Sequence, residues 1–246
     1  MYIEAAAIGI LVGFTVSSLG IGSGALTTPA LIMLGIPPLQ AVGSDLLFAL
    51  PLKAFTLTLY HKKGEVDTLS AKYLLLGGIP ALLASYLILN ALLESLNLEA
   101  VSRAVKTLLG LALIATSLQH LAKPLHSTPV KIKPSHLAII GSIVGALVFL
   151  TSVGSGVVIM AALLRLKTPP RRAVGTTLLY SFAITATAAL LHLSLKTVNP
   201  ALTLTLLSTS LPTAYLGFKA AMKIPRETLL KALTLTIMVL GLLMII

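Results

Sequence analysis

The chain contains one unit twice. Displaced by 132 positions, GIGSGALTTPALIMLGIPPLQAVGSDLL falls on SVGSGVVIMAALLRLKTPPRRAVGTTLL without a gap, and 13 of the 26 residues from 22 to 47 are identical to those from 154 to 179. The same offset places Gly9 on Gly141, Gly13 on Gly145, Val66 on Val198 and Pro80 on Pro212. Apolar low-complexity sequence imitates similarity among its Leu and Ala positions, but it does not align glycines, prolines and a serine across a hundred residues. An internal duplication follows, and duplications of this kind are a signature of transporter folds.

The repeated unit is too apolar for water. Of 246 residues 57% are hydrophobic, the mean hydropathy is +1.01 and 10% are charged, where a soluble domain carries roughly 25%. The fold class expected is all-α, a polytopic integral membrane protein. There is no cysteine and no tryptophan, so disulfides and thiol chemistry drop out. The net charge of +11 comes without an aromatic-interleaved basic run, so nucleic acid is not a partner; these cations are read as loop residues. MYIEAAAIGI lacks the basic start of a cleaved signal peptide, so the first helix is expected to stay. No GxxxxGK[ST] motif is present, so ATP is not the direct energy source and a proton or sodium gradient is the expected coupling. The histidines show no metal spacing, so neither a metal nor a cofactor is expected.

Hydrophobic stretches fall at 3–19, 25–34, 39–60, 69–93 and 100–121, then at 135–151, 157–166, 172–195, 200–217 and 228–246. The division expected is a first membrane repeat over 1–122, a cytoplasmic linker over 123–134 and a second membrane repeat over 135–246. Most stretches reach the ~20 residues a bilayer requires, whereas 25–34 and 157–166 make helices of only about 15 Å. If each short segment returns with its predecessor as a hairpin, each half crosses an odd number of times and the halves are inverted. Loop Lys and Arg then divide 14 to 3 between the two sides; a parallel arrangement divides them 10 to 7. The stronger bias selects inverted repeats, each a broken hairpin followed by three spanning helices. It also selects a multi-pass cell-membrane protein with both termini external.

Each short segment follows a glycine break. Non-helical backbone inside a bilayer survives only where protein buries it or where it lines a cavity. The breaks therefore point to a site built from Gly22, Ser23 and Gly24 and from Gly154, Ser155 and Gly156. The helix N-termini that begin there present free N–H groups and a positive dipole end to an anion. Close helix packing is the plainer explanation of such glycines, although it does not explain two copies ahead of two half-length helices. A second paired motif, AVGSDLL and AVGTTLL, puts Ser44, Asp45, Thr176 and Thr177 about two turns into long helices, roughly 10 Å along, with Ser44, Thr176 and Thr177 as candidate substrate ligands. Hydroxyls there ordinarily bond back to the preceding turn. Asp45 is an ionisable residue within a span and a candidate carrier of the coupling proton or cation. Lys53, the one cation clear of every loop, either snorkels or serves as counter-charge to the substrate. The symmetry mates of Asp45 and Lys53 are Thr177 and Thr185. His192 ends a long helix and reads as interfacial. Pro80 and Pro212 are matched kinks.

The glycine breaks at Gly20–Gly24 and Gly154–Gly156, the turns Pro37-Pro38 and Pro169-Pro170, and the Ala-Val-Gly runs at Ala41–Ser44 and Ala173–Thr176 together resemble the TauE/SafE family of membrane transporters. The resemblance spans nearly the whole chain. It implies transport of a small anionic substrate, a sulfite-like sulfur oxyanion or organosulfonate, in a lipid bilayer, and is compatible with a homo-oligomer. Ser152 stands where the first half has Gly20, a departure from the duplicated pattern. A passive anion channel is the alternative. An intramembrane serine hydrolase is the third reading, against which stands a duplicated serine without a duplicated base.

Overall fold

The computed structural model describes residues 2–19, 22–62, 64–121, 134–221 and 226–245; within these, the side chains of 16–19, 59, 120–121, 134–135, 155, 157, 217–221 and 226–233 are outside the description. The described residues form ten helices: α1 Tyr2–Leu19, α2 Gly24–Met33, α3 Pro38–His61, α4 Thr68–Ser95, α5 Leu98–Leu121, α6 Pro134–Thr151, α7 Ser155–Arg165, α8 Pro170–Ser194, α9 Pro200–Ala221 and α10 Arg226–Ile245. Each corresponds to one expected stretch. The linker expected at 123–134 lies, but for Pro134, outside the described residues.

Local chemistry sets the boundaries, and sets them alike in both halves. Pro38 and Pro170 open α3 and α8, with Pro37 and Pro169 before them at φ −53 and −52; a first-turn proline gives up only an N–H that has no helical partner. α4 is capped by Asp67, whose carboxylate accepts from the Leu69 and Ser70 N–H groups at 3.1 and 3.2 Å, and α9 by Asn199, which accepts from the Leu202 N–H at 3.1 Å. These caps are again 132 apart. Four helices end in a backward bond across a left-handed residue. Ile36 N–H reaches Leu31 O over Gly35 (φ 82), and Thr168 N–H reaches Leu163 O over Lys167 (φ 60). Glu65 N–H reaches Tyr60 O over Gly64 (φ 67), and Thr197 N–H reaches His192 O over Lys196 (φ 57).

The first half therefore uses glycine where the second uses lysine in the same strained conformation. A left-handed L-residue costs roughly 1–2 kcal/mol, partly offset by the extra freedom glycine has when unfolded. Lys167→Gly and Lys196→Gly are each expected to raise stability by about 0.5–1 kcal/mol, and Gly35→Lys to lower it. Thermal unfolding in detergent reads the sign, and a loss of stability in both lysine variants would show that these side chains do more than turn the chain.

Packing is exchanged between the halves: α1 lies along α9, and its counterpart α6 lies along α4. Glycines set the register. Gly9 abuts Leu206 and Gly13 abuts the Ser210 backbone, while Gly141 abuts Leu74 and Gly145 abuts the Gly78 backbone. Residue numbers rise together in both pairs, so the partners run parallel. α5 and α10 meet with Gly110 against Ile245 and Gly241 against Ile114, hence antiparallel. α3 and α8 pack together as well. Gly43, near the start of α3, lies against Thr197 beyond the end of α8, and Gly175, near the start of α8, lies against Glu65 beyond the end of α3.

Leu11, Phe55, Leu87, Leu190 and Leu204 face outward, while Ser23, Thr27, Thr28, Ser44, Asp45, Ser152, Thr176, Thr177, Thr185 and His192 are buried. Apolar residues outside and polar ones along the α3–α8 seam is the distribution lipid selects. Among the described residues, four helical stretches, Pro38–Thr58, Thr68–Ser95, Leu98–Gln119 and Pro170–Ser194, are long and apolar enough to cross a membrane, accompanied by shorter apolar helices. The chain is a multi-pass membrane protein.

Candidate functional site

α3 and α8 bring the chemistry to the seam. Asp45 is completely buried on α3. Its Oδ2 accepts from Thr28 Oγ1 of α2 at 3.1 Å and from Ser152 Oγ at 2.6 Å. Ser152 belongs to the second glycine break, so one carboxylate joins α2 of the first half to the break of the second. Its other oxygen, Oδ1, has no hydrogen-bond partner, and neither have the buried hydroxyls of Ser23, Thr27 and Thr177. Ser23 stands beside the same carboxylate without closing a hydrogen bond to it. Buried polar atoms without partners are rare and costly, and here three of the four lie on α3 or at α2.

The two breaks touch. A side chain at Gly24 would strike the Ser152 backbone, whereas Gly22, Gly154 and Gly156 have nothing within 4 Å of where a Cβ would stand. Gly22 and Gly156 are exposed. Close packing thus explains Gly24 and not the other three. Gly154 caps α7 at φ 111, a conformation that glycine alone adopts cheaply. Ser152 holds φ 61 with a side chain attached. The Ser155 backbone begins α7 as expected, and its side chain lies outside the described residues.

Lys53 does not snorkel. Its ammonium donates to Thr185 Oγ1 of α8 at 2.6 Å, and 53 and 185 are symmetry mates that meet where the halves cross. No direct ion pair joins Lys53 to Asp45, although each charge acts on the other.

Ser44 and Thr176 are brought to the two ends of the seam rather than to Asp45. Ser44 Oγ accepts the Asn199 N–H at 2.9 Å, and Thr176 Oγ1 accepts the Asp67 N–H at 2.9 Å. Each thereby pins the turn that opens a helix of the opposite half. Asp67 also has Arg172 nearby. Partial burial pushes its carboxyl up, but the Ser70 hydroxyl, the Ser70 and Leu69 N–H groups and the Arg172 charge together hold it below the usual carboxylate range.

His192 is buried, not interfacial: Nδ1 lies 2.7 Å from Thr197 Oγ1 and Nε2 3.0 Å from Phe149 O. The sequence reading missed Thr28, Thr27 and Ser152. A threonine on an apolar helix carries no mark of its partner. Ser152 did carry one, as the serine in a break whose mate is glycine.

A lipid-facing apolar shell around a buried polar seam between two like halves defines a membrane protein of the transporter class. The chain belongs to the sulfite exporter TauE/SafE family, which matches residues 5–244, so the resemblance carried by the breaks and proline turns is confirmed over nearly the whole length. It is also 31% identical over 225 residues to the probable membrane transporter protein YjnA of Bacillus subtilis (strain 168), covering 85% of this chain and 86% of that protein. No solved structure matches the chain. The family is one of membrane transporters and not of enzymes.

Proposed function

We propose that the protein is a secondary transporter that binds a small sulfur oxyanion or organosulfonate between the two Gly-Ser-Gly breaks and moves it together with a proton or sodium ion. The observation that carries this reading is the meeting of the breaks, Gly24 against Ser152, beside a buried carboxylate and hydroxyls without partners. An oxyanion offers several acceptor oxygens, which suits the Ser23 and Ser155 hydroxyls and the N–H groups that open α2 and α7. Thr177 adds a hydroxyl from α8, Lys53 supplies the counter-charge, and Asp45 carries the coupling ion. Ser44 and Thr176 act at the ends of the seam, as pins that hold the path closed.

Thermal shift against sulfite, sulfate, thiosulfate, taurine and sulfoacetate identifies the tightest anion, because a specific ligand stabilises by mass action. Gly22→Ala and Gly156→Val then test the place. Neither meets protein, so both are expected to fold as wild type and to bind that anion at least tenfold more weakly. Ser23→Ala is expected to lose about 0.5–1.5 kcal/mol of binding, up to ~3 where the partner is charged. Wild-type affinity in all three would put the anion elsewhere. Gly24→Val is no test of the ligand, since it forces the breaks apart.

In the membrane we place the halves as inverted repeats with both termini external and 123–134 cytoplasmic. The antiparallel run of α5 and α10, which are mates, and the 14-to-3 division of loop cations support this. Single cysteines at Ser127 and Ser194 are expected to label from opposite faces of sealed vesicles; labelling from one face would sink the inverted arrangement.

A further inference from the structure

Asp45 raises a question of occupancy. Its Oδ2 takes the Thr28 and Ser152 hydroxyls, both buried, one from α2 and one from the second break. Ser152 stands at the junction of the breaks, against Gly24, and a carboxylate oxygen is chemically a small oxyanion on a tether. Resting on the anion site proposed above, we infer that Asp45 holds the substrate's own donors in its absence, so that Thr28 and Ser152 belong to the anion site and the anion takes them when one proton neutralises Asp45.

Three observations support this. Ser152 keeps a side chain at φ 61, where the mate in the first half is glycine; backbone strain of this kind persists where the side chain has a task. The unpartnered Oδ1 of Asp45 has beside its carboxylate the Ser23 hydroxyl, which likewise lacks a partner. A proton arriving from water on Oδ1 makes an O–H donor beside a hydroxyl acceptor, and Oδ2, no longer anionic, releases its two donors. The charge also balances for a singly charged anion: carboxylate and Lys53 ammonium cancel in the empty site, and proton and anion cancel in the loaded one. Two negative groups on the same two hydroxyls would leave one of them unpaired in the core.

Among the described residues, Lys53 of the same helix is the one charged group that acts on Asp45. α2 has no charged residue, the described side chains of α9 include none, and Glu99, Arg103 and Lys106 of α5 stand in its first turns. α6 contributes His136 far along the helix and exposed. α8 carries Arg171 and Arg172 at its start, both exposed, Tyr180, whose hydroxyl donates to Gly141 O, and His192, whose two ring nitrogens are engaged by Thr197 and Phe149.

The test uses purified full-length protein and the tighter-bound of methanesulfonate and ethanesulfonate, monoanions whose charge is constant between about pH 5.5 and 8. Wild-type affinity is expected to fall by up to about tenfold per pH unit, the slope for one linked proton, and binding in weak buffer should take up one proton per anion. Asp45→Asn should bind without that slope and without proton uptake. Ser152→Gly suits the left-handed backbone and deletes the whole hydroxymethyl group; Thr28→Val keeps the shape. Each should lose about tenfold or more in affinity, also in the Asp45→Asn background, with thermal unfolding showing that each is folded. A flat wild-type pH profile, a sodium-dependent profile in place of a pH-dependent one, or wild-type affinity in both hydroxyl variants would overturn the inference. If those results came while Gly156→Val and Ser23→Ala still weakened binding, this inference alone would fall. Failure of wild type to bind any sulfur anion would remove the anion site and the inference with it.

Discussion

Gly145→Val is expected to prevent recovery of monodisperse protein, and Gly13→Val to do the same. At Gly145 a Cβ would meet the carbonyl, carbonyl carbon and Cα of Gly78 on α4, and at Gly13 it would meet the carbonyl and Cα of Ser210 on α9. Both obstacles are helical backbone, with no rotamer to yield. Overpacking among side chains typically costs about 1–3 kcal/mol; two backbones forced apart along a whole helix pair should exceed ~3 kcal/mol, a large part of the about 5–15 that stabilises a typical fold. Lipid gives helices little hydrophobic reason to associate, so small residues that admit close backbones carry much of the association. Gly22→Ala, at a site with nothing nearby, is the matched control. Wild-type thermal stability in Gly145→Val would mean that α6 does not lie so close to α4.

The same glycines show how far the sequence could be read. The offset identified Gly9 with Gly141 and Gly13 with Gly145 as equivalent positions, because a duplication preserves the residues its packing depends on. It did not say what they pack against, since α9 and α4 stand far off in the chain and hydrophobicity marks no one face of α1 or α6 for them. The helices themselves were legible to within a few residues: the Pro-Pro turns and glycine breaks punctuate where hydrophobicity alone runs on. Within the site, Asp45 and Lys53 were visible because a charge in a span is conspicuous. Their partners were not. Thr28 and Thr185 look like any threonine bonded to its own turn, as Thr116 and Thr187 in fact are. Ser44 and Thr176 were visible as a pair, but their use as pins on the Asn199 and Asp67 turns depends on a contact between halves that no local pattern encodes.

Lys53→Thr is expected to weaken anion binding by about ten- to a hundredfold, and the exchange Lys53→Thr with Thr185→Lys to restore most of it. The first figure is the about 1.5–3 kcal/mol attached to a hydrogen bond involving a charge, at tenfold per 1.4 kcal/mol. The rescue follows from symmetry. Positions 53 and 185 are 132 apart, like every matched pair in the chain, and they touch: Nζ of one donates to Oγ1 of the other at 2.6 Å. Mates in contact lie where the halves exchange, so an ammonium sent from α8 arrives near the place now filled from α3. Asp45 has no such mate, only Thr177, so the exchange keeps the charge and its threonine acceptor while altering the path between ammonium and carboxylate. Eight positions apart on one helix, about 12 Å, those two charges interact by roughly 1 kcal/mol at an effective dielectric of about 20. That coupling is the portion the exchange variant is expected not to recover. Anion titrations of the single variants and the exchange, each first shown to unfold cooperatively, provide the measurement. Full loss in the exchange variant would mean that the lysine acts through its own helix and not from the crossing point, and wild-type affinity in Lys53→Thr would free the anion from any dependence on this charge.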